Sequence, residues 1–174
     1  MPTQFFRPAP ADSFTLAGTA GLNALLHPQP VYALGLRQIV NGPAPGDNLF
    51  VGWRYLLNLG DNFGAATDVD QPVGGTPVYA GVSYGPTIAK AVSAAQLIET
   101  VPGIPGAAYE VRFLTIPGVL TDALWLRATA PAADWIVPYD TPVKALQEMS
   151  PYSMTSFLQI LLPFARARGS LVLK

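Results

Sequence analysis

Hydrophobic and polar positions alternate most cleanly between Leu49 and Leu59 (LFVGWRYLLNL). Val51, Trp53, Tyr55, Leu57 and Leu59 fall on one side of this run, and Arg54, Leu56 and Asn58 on the other. A period of two is that of a β-strand. Gly60-Asp61-Asn62 has turn chemistry, so Ala65–Val69 is expected to return as a short strand and close a hairpin. Tyr109–Ile116 (YEVRFLTI) alternates in the same way. Pro117-Gly118 then makes a turn, and Val119–Ala128 is the expected antiparallel partner. Large apolar groups stand on both faces of this second hairpin, which suits a position between two layers. Val31–Val40 (VYALGLRQIV) has the β-branched and aromatic content of a strand, although LRQIV also fits a turn of helix.

The period lengthens in Pro86–Val101 (PTIAKAVSAAQLIETV). Ile88, Ala91, Val92, Ala95 and Ile98 form a stripe, with Lys90 and Ser93 opposite. Pro86 suits the first helical position, where its missing N–H costs nothing, and Pro102-Gly103 end the run. Thr141-Pro142 opens a short helix to about Met149. A last helix is expected from Ser153 through Phe157, Leu158 and Leu161 toward Ala165, with Arg166 and Arg168 near its C-terminal dipole. Pro163 should kink or stop it. Asn41–Asn48 and Gln71–Gly85, rich in Gly and Pro, read as loops. Asp12–Leu26 reads equally as helix or loop, since Gly18 and Gly21 weaken a helical Leu spacing.

Strand pairs around a helix, followed by helices, lack the strand–helix alternation of a parallel doubly wound sheet. The expected class is α+β: a mainly antiparallel sheet built from two hairpins, with a central helix and C-terminal helices packed mainly on one face. Residues 1–11, with Pro2, Pro8 and Pro10, read as an extended arm. Residues 12–174 read as a single domain. No convincing internal repeat is visible.

Composition sharpens this picture at one point. The chain has 174 residues, half of them hydrophobic, which is enough for a substantial core. Yet only 12% are Asp, Glu, Lys or Arg, about half the usual share. Interspersed surface charge normally keeps a domain dispersed. A surface this neutral is expected to be covered in the working state. The net charge of −1 argues against a broad attraction to nucleic acid. The N-terminus lacks the pattern of a signal peptide, and the uncharged stretch Phe14–Leu36 falls short of the ~18–20 apolar residues of a span. No membrane span and a cytoplasmic address are the expectation.

Candidate chemistry is sparse. There is no cysteine, and the single His27 cannot assemble a zinc site alone. Asp61, Asp68 and Asp70 do not have the spacing of a calcium loop. Gly81-Val82-Ser83-Tyr84-Gly85 has the form of a nucleophile elbow. The acid and His that should follow it are missing, because His27 lies upstream. Gly74-Gly75 matches no phosphate-binding loop. No cofactor and no metal are expected.

Two readings of function result. The first is a non-catalytic protein-interaction or assembly protein, a homo-oligomer or one bound to a protein partner, with Phe5 and Phe6 as interface candidates. The alternative is a module for a small apolar ligand, or an enzyme built around an aromatic-lined pocket. Its candidate residues are Trp53, Tyr55, Glu110, Arg112, Trp125, Trp135 and Tyr139.

Overall fold

The computed structural model describes residues 28–42, 49–58, 63–72, 74–98, 100–101, 109–129 and 132–169. The arm at 1–11, with Phe5 and Phe6, lies outside them, as do His27 and Asp61. The chain order is β1 (Gln29–Ala33), α1 (Leu36–Asn41), β2 (Phe50–Asn58), β3 (Phe63–Asp70), β4 (Val78–Tyr84) and α2 (Pro86–Ile98). It continues with β5 (Tyr109–Ile116), a 3-10 turn at Pro117–Val119, β6 (Thr121–Ala128), β7 (Trp135–Asp140), β8 (Tyr152–Ser153) and α3 (Met154–Gly169).

The eight strands among the described residues form one open sheet in the order β4-β3-β2-β1-β5-β6-β7-β8. Every neighbouring pair is antiparallel except β1 and β5, which run parallel with Val31 beside Phe113. The mixed helix–strand class agrees with the pattern of the sequence, but the sheet is wider than two hairpins. It also contains a repeat that the sequence hides. A four-stranded meander followed by a helix occurs twice, with a helical turn after the first strand each time. The two meanders run outward from the β1–β5 seam.

Period-two side chains divide the sheet into two faces, and each helix covers one of them. Ile88, Ala91, Ala94, Ala95 and Ile98 of α2 pack on Val31, Leu56, Ala66, Val111, Phe113, Leu124, Leu126, Val137 and Tyr139. Three alanines among those five positions let the helix approach the strands closely. Phe157, Leu161 and Ala165 of α3 pack on Leu114, Ile116, Ala123 and Ile136 from the opposite side, together with Leu34 and Ile39 around α1. Helices on both faces replace the one-sided packing expected from the sequence. The cause is the second meander, whose strands are apolar on both sides.

Other differences have local causes. The loop expected over Gln71–Gly85 contains β4, because Val78, Tyr79, Val82 and Tyr84 find a ladder on β3. The strand expected over Val31–Val40 ends at Ala33, and Gln38 accepts the Gly35 N–H at 2.6 Å where α1 begins. The helix expected after Thr141 is a series of turns. There Thr141 Oγ1 accepts the Val143 N–H at 3.2 Å, Glu148 accepts the Thr141 N–H at 3.1 Å, and Met149 takes a positive φ of 61°. Finally, α3 continues through Pro163. Buried Phe157 and Leu161 before it and Ala165 after it hold both segments against the sheet. Ser153 Oγ caps the helix by accepting the Ser156 N–H at 3.1 Å.

Candidate functional site

The face that carries α3 is only half covered by the described residues. Over β5, β6 and β7 it is sealed by α3. Over β2, β3 and β4, no helix among the described residues lies on it. The alternation of β2 places Trp53 and Tyr55 on this open half, and their cross-strand partners are Val69 and Thr67. After the register shift at Asp68/Val69, β4 contributes Tyr79, Val82 and Tyr84 to the same face.

A row of rings leads from the open half to the covered half. Trp53 meets Phe50 with centroids 5.4 Å apart, Phe50 meets Tyr32 at 5.8 Å, and Tyr32 meets Trp125 at 5.1 Å, all edge to face. Such contacts contribute about 0.5–1.5 kcal/mol each beyond simple burial. The Arg112 guanidinium stands 4.6 Å from the Tyr32 centroid and 4.8 Å from that of Trp125. Its Nη2 donates to Glu110 Oε2 at 2.6 Å. Burial raises the Tyr32 hydroxyl above its usual pKa, against the pull of Arg112. The two indoles are oriented by their N–H groups: Trp53 donates to Gln71 Oε1 at 2.9 Å, and Trp125 to Asp134 Oδ2 at 2.9 Å. Burial alone would raise the Asp134 pKa. Donation from Ala128 N–H, Trp125 and Arg127 more than offsets it, and the carboxyl sits below its usual range.

The outer boundary of the open half is β4, the last strand of the sheet. None of its residues is buried. Tyr84 is 71% exposed, Tyr79 64% and Val78 57%, values typical of a loop rather than of a strand in a sheet. The run VYAGVSY carries no charge and no proline. Charges, prolines, covering elements and short length are the usual protections of a sheet edge. At the opposite edge, β8 has only two residues and leads directly into α3.

The other face holds a separate polar cluster. Arg54 donates to Asp68 through Nε at 2.8 Å and Nη2 at 2.9 Å, and its Nη1 lies 3.5 Å from the Tyr139 hydroxyl. The same guanidinium stands 5.0 Å from the Phe113 ring centroid. Burial raises the Tyr139 hydroxyl far above its ordinary value and raises Asp122, whose carboxylate is held by Thr115. Arg54 keeps its charge: burial opposes it, but the Asp68 hydrogen bond and the fields of Tyr139, Asp68 and Asp122 together outweigh that desolvation. These groups pair with one another, as a structural ion network does. A cleft of about 180 Å³ opens beside them, lined by Val31, Gly52, Arg54, Asp68, Asp70 and Thr115 among others. Near the start of α2, Lys90 Nζ bridges Asp140 Oδ1 at 2.9 Å and Glu148 Oε1 at 3.0 Å.

Of the pocket candidates read from the sequence, Trp53, Tyr55, Glu110, Arg112 and Trp125 share the α3 face. Trp135 and Tyr139 lie on the α2 face, packed into its core. The seven therefore do not line one cavity. Tyr32, Phe50, Tyr79, Val82 and Tyr84 join the first group without having been candidates. The β-branched and aromatic content of Val78–Tyr84 was the signal for the last three, masked by Gly81, Gly85 and the preceding Gly-Pro stretch. Ser83 lies inside β4 opposite Ala66, not at a strand-to-helix elbow. Among the described residues no group of three or more His, Asp or Glu could hold a metal, and no helix is long and apolar enough to cross a membrane. Comparison with family models, curated proteins and solved structures gives no match.

Proposed function

We propose that this is a non-catalytic interaction or assembly protein, whose open half-sheet over β2, β3 and β4 is covered by self-association or by a protein partner. The observation that carries this reading is β4, a seven-residue edge strand without charge, exposed along its length and continuous with an aromatic face. Contiguous exposed apolar surface of this kind marks interaction sites. Aromatic rings interleaved with arginine are the residue types that concentrate binding energy. The scarcity of charge over the whole chain supports the same reading. The ligand-pocket reading has less support among the described residues, where the 180 Å³ cleft is smaller than the ~300–1,000 Å³ of ligand sites and is walled by an ion pair already satisfied.

The test is the mass of the full chain in solution across dilution, for the wild type and for a Tyr79→Lys/Tyr84→Lys variant. The wild type is expected to exceed 18.4 kDa at high concentration, and the variant to stay at that mass with unchanged circular dichroism. A wild type that stays at monomer mass throughout, with no gain in solubility in the variant, removes the reading.

A further inference from the structure

We infer that β4 pairs edge to edge with β4 of a second copy of this chain, antiparallel about a two-fold axis at Gly81, joining two sheets into one. This rests on the interaction reading above and narrows it to one occupant and one register. Among the described residues β4 is the last strand and has a ladder partner on one side only, so a row of backbone N–H and C=O groups faces outward. A two-fold at Gly81, with the extra residue Ala80 of each copy left out of the ladder, sets Val82 against Tyr79 and Ser83 against Val78 of the second copy, each pair on one face. β-Branched and aromatic side chains then stand opposite each other, and no like charges meet, because the strand has none.

That neutrality favours a second copy over an unlike partner. Complementary charge, a main means of discriminating unlike partners, is missing from β4, whereas Val82 and Tyr79 of one copy match Tyr79 and Val82 of the other. A self-complementary patch closes as an isologous pair, the commonest form of assembly. The register irregularity leaves Ala80 as the extra residue between Asp68↔Gly81 and Val69↔Tyr79. It turns Tyr79 onto the same face as Val82 and Tyr84. The axis is normal to the sheet, so the open aromatic halves of both copies lie side by side.

The chain has no cysteine, so Gly81→Cys supplies a single thiol. A Cβ at position 81 meets nothing within 4 Å, so the substitution fits the strand. In the proposed pair the two thiols stand on opposed residues with Cα atoms ~4.5–5.5 Å apart, within disulfide range. Under mild oxidation, full-length Gly81→Cys is expected to form linked dimer at least about tenfold faster than the exposed control Ser93→Cys, reflecting effective concentration in the pair. Adding Val82→Lys should abolish that advantage. Equal rates for the two thiols overturn the inference. If Trp53→Lys dissolves a wild-type assembly while Gly81→Cys shows no preference, association uses the open face, so the edge pairing fails and the interaction reading survives. A chain that is monomeric at every concentration, with β4 covered by its own N-terminal residues or uncovered, overturns both.

Discussion

The two meanders have the same order of strands and helix but opposite fates. In the second, β5, β6 and β7 are buried on both faces, with Leu124, Leu126, Ile136 and Val137 fully inaccessible. In the first, Leu56 and Ala66 are buried under α2, and the outermost strand β4 buries nothing. The difference lies in where the helices land. α2 reaches β3, β6 and β7, crossing both halves of its face, whereas α3 packs on β7, β8, α1 and the 3-10 turn at Pro117–Val119. A repeated topology therefore produces one closed half that supplies stability and one open half available for contact.

The largest expected break in this contrast is Phe157→Ala, which removes a fully buried ring from α3. It should cost about 3–5 kcal/mol in denaturant unfolding. Arg54→Leu comes next, since it strips Asp68 of both hydrogen bonds at a part-buried site. A loss of about 1.5–3 kcal/mol is expected, as for hydrogen bonds to charged groups. Pro163→Ala should raise the melting temperature, equivalent to about 1 kcal/mol, because it restores a helical N–H inside α3 at an exposed position. Smallest is Tyr84→Lys, expected to shift monomer stability by no more than about 0.5 kcal/mol while changing association.

Acid titration separates two carboxylates of opposite sign. Lys90 and then Thr87 hold Asp140 below the usual carboxylate range. Its contribution is complete above the unfolded pKa and is lost as pH falls through the folded one. Burial raises Asp122, so the folded chain binds its proton more tightly than the unfolded chain. That group costs stability as pH rises from the unfolded to the folded pKa. Unfolding measured against pH should show Lys90→Met flattening the acid limb, and Asp122→Asn gaining stability near neutral pH relative to pH 3.

The local elements were legible where one periodicity dominated. The spacing of Ile88, Ala91, Ala95 and Ile98, the alternation of Tyr109–Ile116, and Pro86 at a helix start specify their conformations with little help from elsewhere. The two-sided apolar character of β5 and β6 announced a strand pair between two layers. At the candidate site, Trp53, Tyr55, Glu110, Arg112 and Trp125 could be chosen by residue type, because aromatics and arginine are the usual contact makers.

Tertiary structure decided what no local pattern encodes. Val78–Tyr84 is a strand because β3 offers it a ladder, and that hydrogen-bonding partner lies outside the segment itself. Residues 141–149 turn rather than coil into helix because Glu148 accepts from the Thr141 N–H and, across the chain, from Lys90 Nζ. The parallel β1–β5 seam and the placement of α2 and α3 on opposite faces depend on contacts between residues far apart in sequence. Those long-range contacts put Trp135 and Tyr139 in one core and left Tyr79, Val82 and Tyr84 uncovered at the sheet edge. Residue chemistry sets what each segment can bury, but the packing of distant segments settles which surfaces stay open.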